Sequence, residues 1–407
     1  MIYLIVFLLL ICLSYIYDIR EKTENRLFWY NVMLVIFVLV AGLRWRLGVD
    51  TPNYLGSFYH EYPTLGDFSL DDYDIASSPL YVLINSFVKS LGGKFYIVQI
   101  IHATFINILI FKFIKRHSSY IFTCLFFYAI ICYTTYNMET MRASMSIVVC
   151  LYANDFIIEK KWLKAYLLYI IAFLFHAEAI VMFILPLLSF LKFNKVGAVF
   201  LVIAFLLGIK LTGMLENYLA LADSMPAFDG EDTLESKIIN YMSSDEYGSG
   251  KEGGIIFYIL KYIMPLAYLV CSLLYIKRFE PDSSLLKLEP FLIIGLAFLL
   301  IQCNLFIAYR LVDCFKIYFV LFYSELFVSL ILKAKNLELS LSCARSLVLF
   351  FPLVFYIVFY DYFSDGGKGF RYYPYNSVIE RKIDTKRQLK YNEIFSTKYP
   401  TVNKEEY

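Results

Sequence analysis

Apolar runs, most of them long enough to cross a membrane, follow one another along almost the whole chain, and that succession dictates what it can fold into. They are Ile2–Tyr17, Leu27–Leu43, Pro79–Leu91, Phe95–Phe111, Tyr120–Tyr136, Ala143–Ile158, Ala165–Leu191, Val196–Gly213, Ile255–Ile276, Pro290–Tyr309, Phe315–Leu332 and Ala344–Tyr360. A helix of about 20 residues crosses the hydrocarbon core, and lipid offers exposed backbone groups no partner. These runs are too continuous for barrel strands. They predict an all-α, polytopic transmembrane helical bundle of about 11–13 spans.

Composition closes the other classes. Charged residues are 18% of the chain and hydrophobic ones 60%, whereas soluble domains carry about 25% charge. A net charge of +2 leaves no basic surface for a polynucleotide. A soluble enzyme, a disordered chain and a nucleic-acid binder are therefore excluded. All eight cysteines (Cys12, Cys124, Cys132, Cys150, Cys271, Cys303, Cys314, Cys343) lie in or beside apolar runs, none at C-x-x-C spacing. Neither a zinc site nor a disulfide framework is expected. Met1–Tyr17 lacks a basic n-region and a cleavage site and reads as a retained first span.

Lys and Arg in short loops set orientation. Lys160-Lys161-Trp162-Leu163-Lys164, Lys192/Lys195, Lys277-Arg278 and Lys333/Lys335 read as cytosolic. The acidic 216–254 loop, with nine acids and two lysines, then faces outward. Ala165–Leu191 is basic at both ends and too long for one tidy span, so a re-entrant hairpin with its tip near His176 is expected. In the first third the rule leaves two answers, because Lys112/Lys115/Arg116 and the 44–77 loop do not both follow it. The chain divides into a transmembrane domain, 1–360, with outer loops 44–77 and 216–254, and a polar tail, 361–407.

Charges at membrane edges are costly unless paired or wetted, which makes them functional candidates. The densest cluster is Arg44-Trp45-Arg46-Leu47-Gly48-Val49-Asp50-Thr51-Pro52-Asn53-Tyr54. A guanidinium fits phosphate oxygens in two-point contact, Gly48 permits a sharp turn, and Asp50 can orient an arginine or take a hydroxyl proton. The plainer reading is a charged membrane-edge anchor. Glu139 and Arg142, and Arg310 and Asp313, stand three apart and read as local ion pairs or as site residues. Arg44, Arg142 and Arg310 all fall on one expected outward face.

His176 lies deep in an apolar run, two residues from Glu178. On an unbroken helix the two share no face; they meet only if the helix breaks there. Otherwise His176 is a hydrogen-bonded packing residue. Asp72-Tyr73-Asp74 has the form of a divalent-ion site, though an acidic solvated loop is the commoner origin of such a run. His60, His102 and His117 show no ligand spacing with one another, so no metal centre is expected. P-loop and G-x-S-x-G patterns are absent from the sequence.

Arg44-x-x-x-Gly48-x-Asp50-x-x-x-Tyr54 resembles the EpsG family of bacterial polysaccharide polymerases, often described as Wzy-type. Further elements follow in order. Met141-Arg142-Ala143 resembles the family's membrane-edge arginine, and Phe175-His176 its Phe-His motif. Arg310 with Phe315 resembles its late arginine element, and Tyr373-Pro374-Tyr375 its C-terminal Pro-Tyr. Ser78-Pro79-Leu80-Tyr81 stands where the family tends to carry a Glu-Pro-Gly-Tyr-like turn, without the acid or the glycine. Glu178 replaces a usually small residue.

The resemblance implies a GT-C-like glycosyltransferase, multi-pass in the bacterial inner (cytoplasmic) membrane. It would polymerise undecaprenyl-diphosphate-linked oligosaccharide repeat units into capsular, O-antigen or exopolysaccharide at the outer face, with no cofactor, metal or nucleotide sugar. Arg44, Arg142 and Arg310 would bind the diphosphate, and Asp50 or His176 would take the acceptor proton. Gly48, Tyr54, Glu139, Glu178, Asp313, Tyr373 and Tyr375 would support them. Expected partners are the lipid-linked oligosaccharide, the growing polysaccharide, membrane lipid, a flippase and a chain-length regulator. The alternatives are a Wzx-type lipid-linked oligosaccharide flippase, a single-sugar GT-C glycosyltransferase dependent on Asp72/Asp74, and a non-catalytic assembly protein.

Overall fold

The structure is a computed structural model that describes residues 2–48, 50–69, 78–222, 264–305, 308–335, 372, 375–381, 385 and 387–389. Helices account for its regular structure, and the described residues form no strand beyond one isolated antiparallel bridge, Arg44 to Ser377. Among them, Ile2–Ile19, Phe95–His117, Met141–Ile158, Lys195–Met214 and Ser284–Gln302 are long and apolar enough to cross a membrane. Shorter apolar helices run alongside, so the expected all-α polytopic bundle is present. The expected span Ala344–Tyr360, the 223–254 part of the acidic loop and Asp72/Asp74 lie outside the described residues. Contacts divide the chain into two units, Met1–Pro186 with Phe327–Tyr407, and Leu187–Leu326.

The first unit contains α1 (Ile2–Ser14), α2 (Arg26–Gly42), α3 (Thr51–Gly56), α4 (Pro79–Ser90), α5 (Phe95–His117), α6 (Ile121–Ile131), α7 (Met141–Ile158) and α8 (Trp162–Phe175). Helices α2 and α5 run antiparallel: the Tyr30 hydroxyl donates to the Phe111 carbonyl at 2.7 Å, while Gly42 lies against Ile100. A Cβ on Gly42 would stand 3.0 Å from the Ile100 Cα, so glycine lets these backbones approach. Helix α6 is buried nearly all round, and Asn107, Tyr128 and Asn137 satisfy one another in its shadow at 2.7–3.2 Å. Unpaired, those polar groups would each carry a desolvation penalty.

Two ends of this unit differ in charge. At one, Arg26 pairs with Asp18, and Arg116 reaches Asp155 at 3.1 Å and Glu159 at 2.7 Å, beside Lys160-Lys161. This is the basic end of the unit, the one that the excess of Lys and Arg leads one to expect on the cytosolic side. At the other lie the end of α2 and the starts of α5 and α7: His102 Nε2 and Ser144 Oγ are 2.9 Å apart there. Lys115 and Arg116 therefore share the basic end, and the described part of the 44–77 loop begins at the opposite one. That settles the first third.

It also corrects one expectation: Pro79–Leu91 is not a crossing. Helix α2 ends and α5 begins at the same end of the unit, so the chain between them returns to its starting side. Helix α4, 12 residues, spans only about 18 Å, against about 30 Å of hydrocarbon. Pro79 sits in its first turn, where a missing N–H costs nothing, and Lys89 donates to the Tyr62 carbonyl at 2.6 Å.

The long run Ala165–Leu191 is broken at His176, as its length and charge required. Helix α8 stops at Phe175, His176 is extended (φ −160°), and a 3-10 helix follows over Ala177–Ile184. Phe183 returns to lie 5.7 Å from Tyr169 and 6.1 Å from Tyr166, ring to ring. The hairpin reading is correct within the first unit.

The second unit holds, within its bounds, α10 (Lys195–Ala222), α11 (Met264–Phe279), α12 (Glu289–Gln302), α13 (Tyr309–Asp313) and the first part of α14 (Lys316–Lys335); the short α9 (Leu185–Leu188) leads into it. Gly208 brings α10 within van der Waals reach of the Ile301 backbone. Lys277 donates to the Phe193 carbonyl at 3.1 Å and pairs with buried Glu289, which also accepts the Phe193 N–H. The basic segments at Lys192/Lys195 and Lys277-Arg278 thus share one end. Val196, Val199, Val202, Ile203 and Leu206 are exposed on α10, an apolar face suited to lipid.

Candidate functional site

The site is built where α2 runs out. After Gly42 the backbone turns through Arg46 (φ +51°) and Gly48 (φ +97°). Gly48 lies flat against the π-helical turn Thr135–Glu139: a Cβ there would be 2.2 Å from the Met138 carbonyl oxygen. No other residue type tolerates both that φ and that approach. The Thr51 hydroxyl bonds back to the Leu47 carbonyl at 2.5 Å, Pro52 occupies the first turn of α3, and Tyr54 is carried inward. Asp50 precedes α3, its carbonyl accepting the Tyr54 N–H at 3.1 Å.

Arg142, second residue of α7, meets this loop. Its guanidinium lies 5.9 Å from the centre of the Tyr54 ring, and it hydrogen-bonds the Tyr54 phenol through side chain and backbone N–H. Tyr81 packs 5.7 Å from Tyr54 and 6.4 Å from Tyr62, and both lie within electrostatic reach of Arg142. Burial raises the Tyr54 phenol above its ordinary range; the Asp50 charge adds to this and Arg142 opposes it. Burial likewise pushes Tyr62 up to about 12. Both stay protonated at neutral pH and serve as hydrogen-bonding groups, not bases. The result is one arginine among three phenols with an aspartate beside them.

Arg44 belongs to the same assembly but not to its surface. It is 0% exposed, Nη1 donates to the Ala41 carbonyl at 2.6 Å, and Nη2 lies 3.4 Å from Met141 Sδ. Met141 is the neighbour of Arg142. Over Arg44 runs the C-terminal segment: the Trp45 N–H donates to the Asn376 carbonyl and the Val378 N–H to the Leu43 carbonyl, each at 2.8 Å. The Tyr375 hydroxyl reaches the Val40 carbonyl at 3.1 Å. Tyr373 lies outside the described residues.

His176 and Glu178 do meet once the helix breaks, with 3.7 Å between Nδ1 and a Glu178 oxygen. His176 also caps the following helix by accepting the Glu178 N–H at 3.3 Å. Since α7 and α8 are joined by a tight turn at the basic end, the His176 break lies toward the Arg142 end of the unit. Glu139 closes the turn under Gly48, three residues before Arg142, half-buried. Arg310 belongs to the second unit, 5.5 Å over the Tyr309 ring, and Asp313 pairs there with Lys316 at 2.5 Å.

Sequence reasoning offers Tyr62 only as one of several outer-loop aromatics able to stack on a sugar ring, and passes over Tyr81, Met138 and Met141 as site builders. Tyr81 and Met141 carried the usable signals, standing in the Ser-Pro-Leu-Tyr and Met-Arg-Ala elements. Among the described residues no cluster of three or more His, Cys, Asp or Glu could hold a metal ion. The family model described as EpsG family matches residues 27–377. No curated protein matches the chain, and no solved structure does.

Proposed function

The chain belongs to the EpsG family, a Wzy-like polymerase family, and from that premise we propose that this polysaccharide-biosynthesis membrane protein polymerises undecaprenyl-diphosphate-linked oligosaccharide repeat units. Polymerisation would occur at the outer face of the bacterial inner membrane. The supporting observation is the meeting of two elements far apart in sequence, 44–54 and 138–143. They join through Gly48 on Met138 and Arg142 on Tyr54, at the end opposite the basic one.

In this reading an acceptor hydroxyl attacks the anomeric carbon of the donor chain. The bond from that carbon to the diphosphate oxygen breaks, and the lipid diphosphate leaves with the electron pair. Arg142 faces the growing negative charge, and a preorganised guanidinium is most effective against charge that develops in the transition state. Tyr54 holds Arg142, and Tyr62 adds a second phenol within its electrostatic reach. Asp50, within electrostatic reach of Tyr54, takes the acceptor proton; His176 at the hairpin break is the second candidate. Arg310 is assigned to the diphosphate from the family likeness alone. The reaction needs neither metal nor nucleotide sugar. Growing polymer, membrane lipid, a flippase and a chain-length regulator are its proposed companions.

The test is polymer length in a strain expressing wild type or Arg142→Ala at matched protein level. The proposal predicts accumulation of single lipid-linked repeat units with export intact. Loss of export would favour the flippase, and unchanged polymer a scaffold.

A further inference from the structure

Residues 375–381, together with Gln388, lie against an interior residue from far along the sequence. Their pairing with Leu43–Trp45 is backbone to backbone on both sides of Arg44, opposite Ser377. Side chains extend it: Arg46 Nη1 donates to Gln388 Oε1 at 2.8 Å, Arg381 lies 5.5 Å over the Trp45 ring, and Tyr375 meets Tyr3 edge-on at 5.9 Å. Beneath it Arg44 is sealed, its guanidinium against Ala41 and Met141. A guanidinium so enclosed presents no surface to a diphosphate. Its contact with Met141 instead fixes the first turn of α7, on which Arg142 stands.

We propose that Arg44 is a positioning residue, and that the C-terminal segment is a clasp that keeps it seated and thereby sets Arg142. This rests on the proposed polymerase reading for its consequence, but not for its geometry. The clasp couples to the reaction through a chain of contacts: Val378 to Leu43, Arg44 to Met141, Arg142 to Tyr54. Losing one backbone hydrogen bond lowers the ratio of docked to undocked segment about fivefold.

Trp45 reports docking directly, since the chain has three tryptophans, at 29, 45 and 162. In full-length protein carrying Trp29→Phe and Trp162→Phe, acrylamide quenching of Trp45 is compared for Val378→Ala, which keeps the N–H, and Val378→Pro, which removes it. Arg381→Ala with Gln388→Ala weakens the clasp without touching the backbone, should the proline variant fail to accumulate. The expected result is raised Trp45 quenching and shorter polymer for Val378→Pro and for the double variant, at unchanged abundance and melting temperature, with Val378→Ala like the parent. Unchanged quenching in both weakened variants shows that the segment is not docked and overturns the proposal. Raised quenching with parental polymer length overturns the coupling. Failure of the polymerase reading is seen separately, as indifference of the polymer to Arg142→Ala, while quenching still reports docking.

Discussion

Gly48 and Met138 stand so close that a single added carbon on Gly48 would fall 2.2 Å from the Met138 carbonyl oxygen. That approach locks the loop after α2 to the turn before α7, and with it Tyr54 to Arg142. Gly48→Ala therefore adds a clash to the roughly 1–2 kcal/mol that a side chain costs at left-handed φ. Gly92 is the control, at φ +69° with open space around it. The expected outcome is loss of polymer and a lower melting temperature for Gly48→Ala, and near-parental polymer for Gly92→Ala. Melting of detergent-extracted protein and a polymer gel check both.

Tyr54→Phe keeps the ring under Arg142 and removes the phenol oxygen. Charge-assisted hydrogen bonds contribute about 1.5–3 kcal/mol, so turnover should fall about 10- to 100-fold. Abundance should hold. Parental turnover in Tyr54→Phe would show that the phenol does not position Arg142.

Sidedness follows from the antiparallel pairing of α2 and α5. With native cysteines replaced, Gly66→Cys and Gly92→Cys should both react with an impermeant thiol reagent added outside. Ser119→Cys and Lys160→Cys should react only after permeabilisation. Protection of Gly92→Cys while Gly66→Cys reacts would restore α4 as a crossing.

The basic end carries a pH-dependent contact. Hydrogen bonding by Lys161, then by Arg116, lowers the Glu159 carboxyl below its ordinary 4.5 despite some opposing desolvation. A carboxyl whose folded value is depressed contributes stability above the ordinary value and loses it as pH falls through the lowered one. Melting temperatures of wild type and Glu159→Gln should therefore differ slightly at pH 7 and converge in acid below the ordinary value. A gap that widens in acid would contradict the pairing.

Much of this was legible in the sequence, and the exceptions have physical reasons. The broken helix at His176 was visible because a run basic at both ends cannot cross once. The Pro79–Leu91 run misled because apolar character says nothing of direction; only the contact of Gly42 with Ile100 shows that both flanking helices meet on one side. The sequence placed Arg44, Arg142 and Arg310 on one outward face; within the first unit Arg44 touches Met141, the neighbour of Arg142, but lies buried. Burial of Arg44 was not foreseen, because its cover is a backbone pairing with residues 376–378, and backbone pairing leaves no side-chain signature. Tyr81 was hidden among 36 tyrosines, in a composition where any one aromatic reads as lipid-facing, and Tyr62 stood out only as an outer-loop aromatic.

The central claim is that Arg142 stabilises a lipid diphosphate leaving group in a metal-free polymerisation. Its most direct measurement uses purified full-length protein in liposomes, supplied with lipid-linked repeat units, a chelator and no nucleotide sugar, with product length read on a gel. The account predicts elongated lipid-linked chains from wild type, none from Arg142→Ala, and a reduced yield from Arg142→Lys, which keeps charge but loses the two-point fork. Elongation that requires a divalent cation or a nucleotide sugar, or that proceeds unchanged in Arg142→Ala, would contradict it.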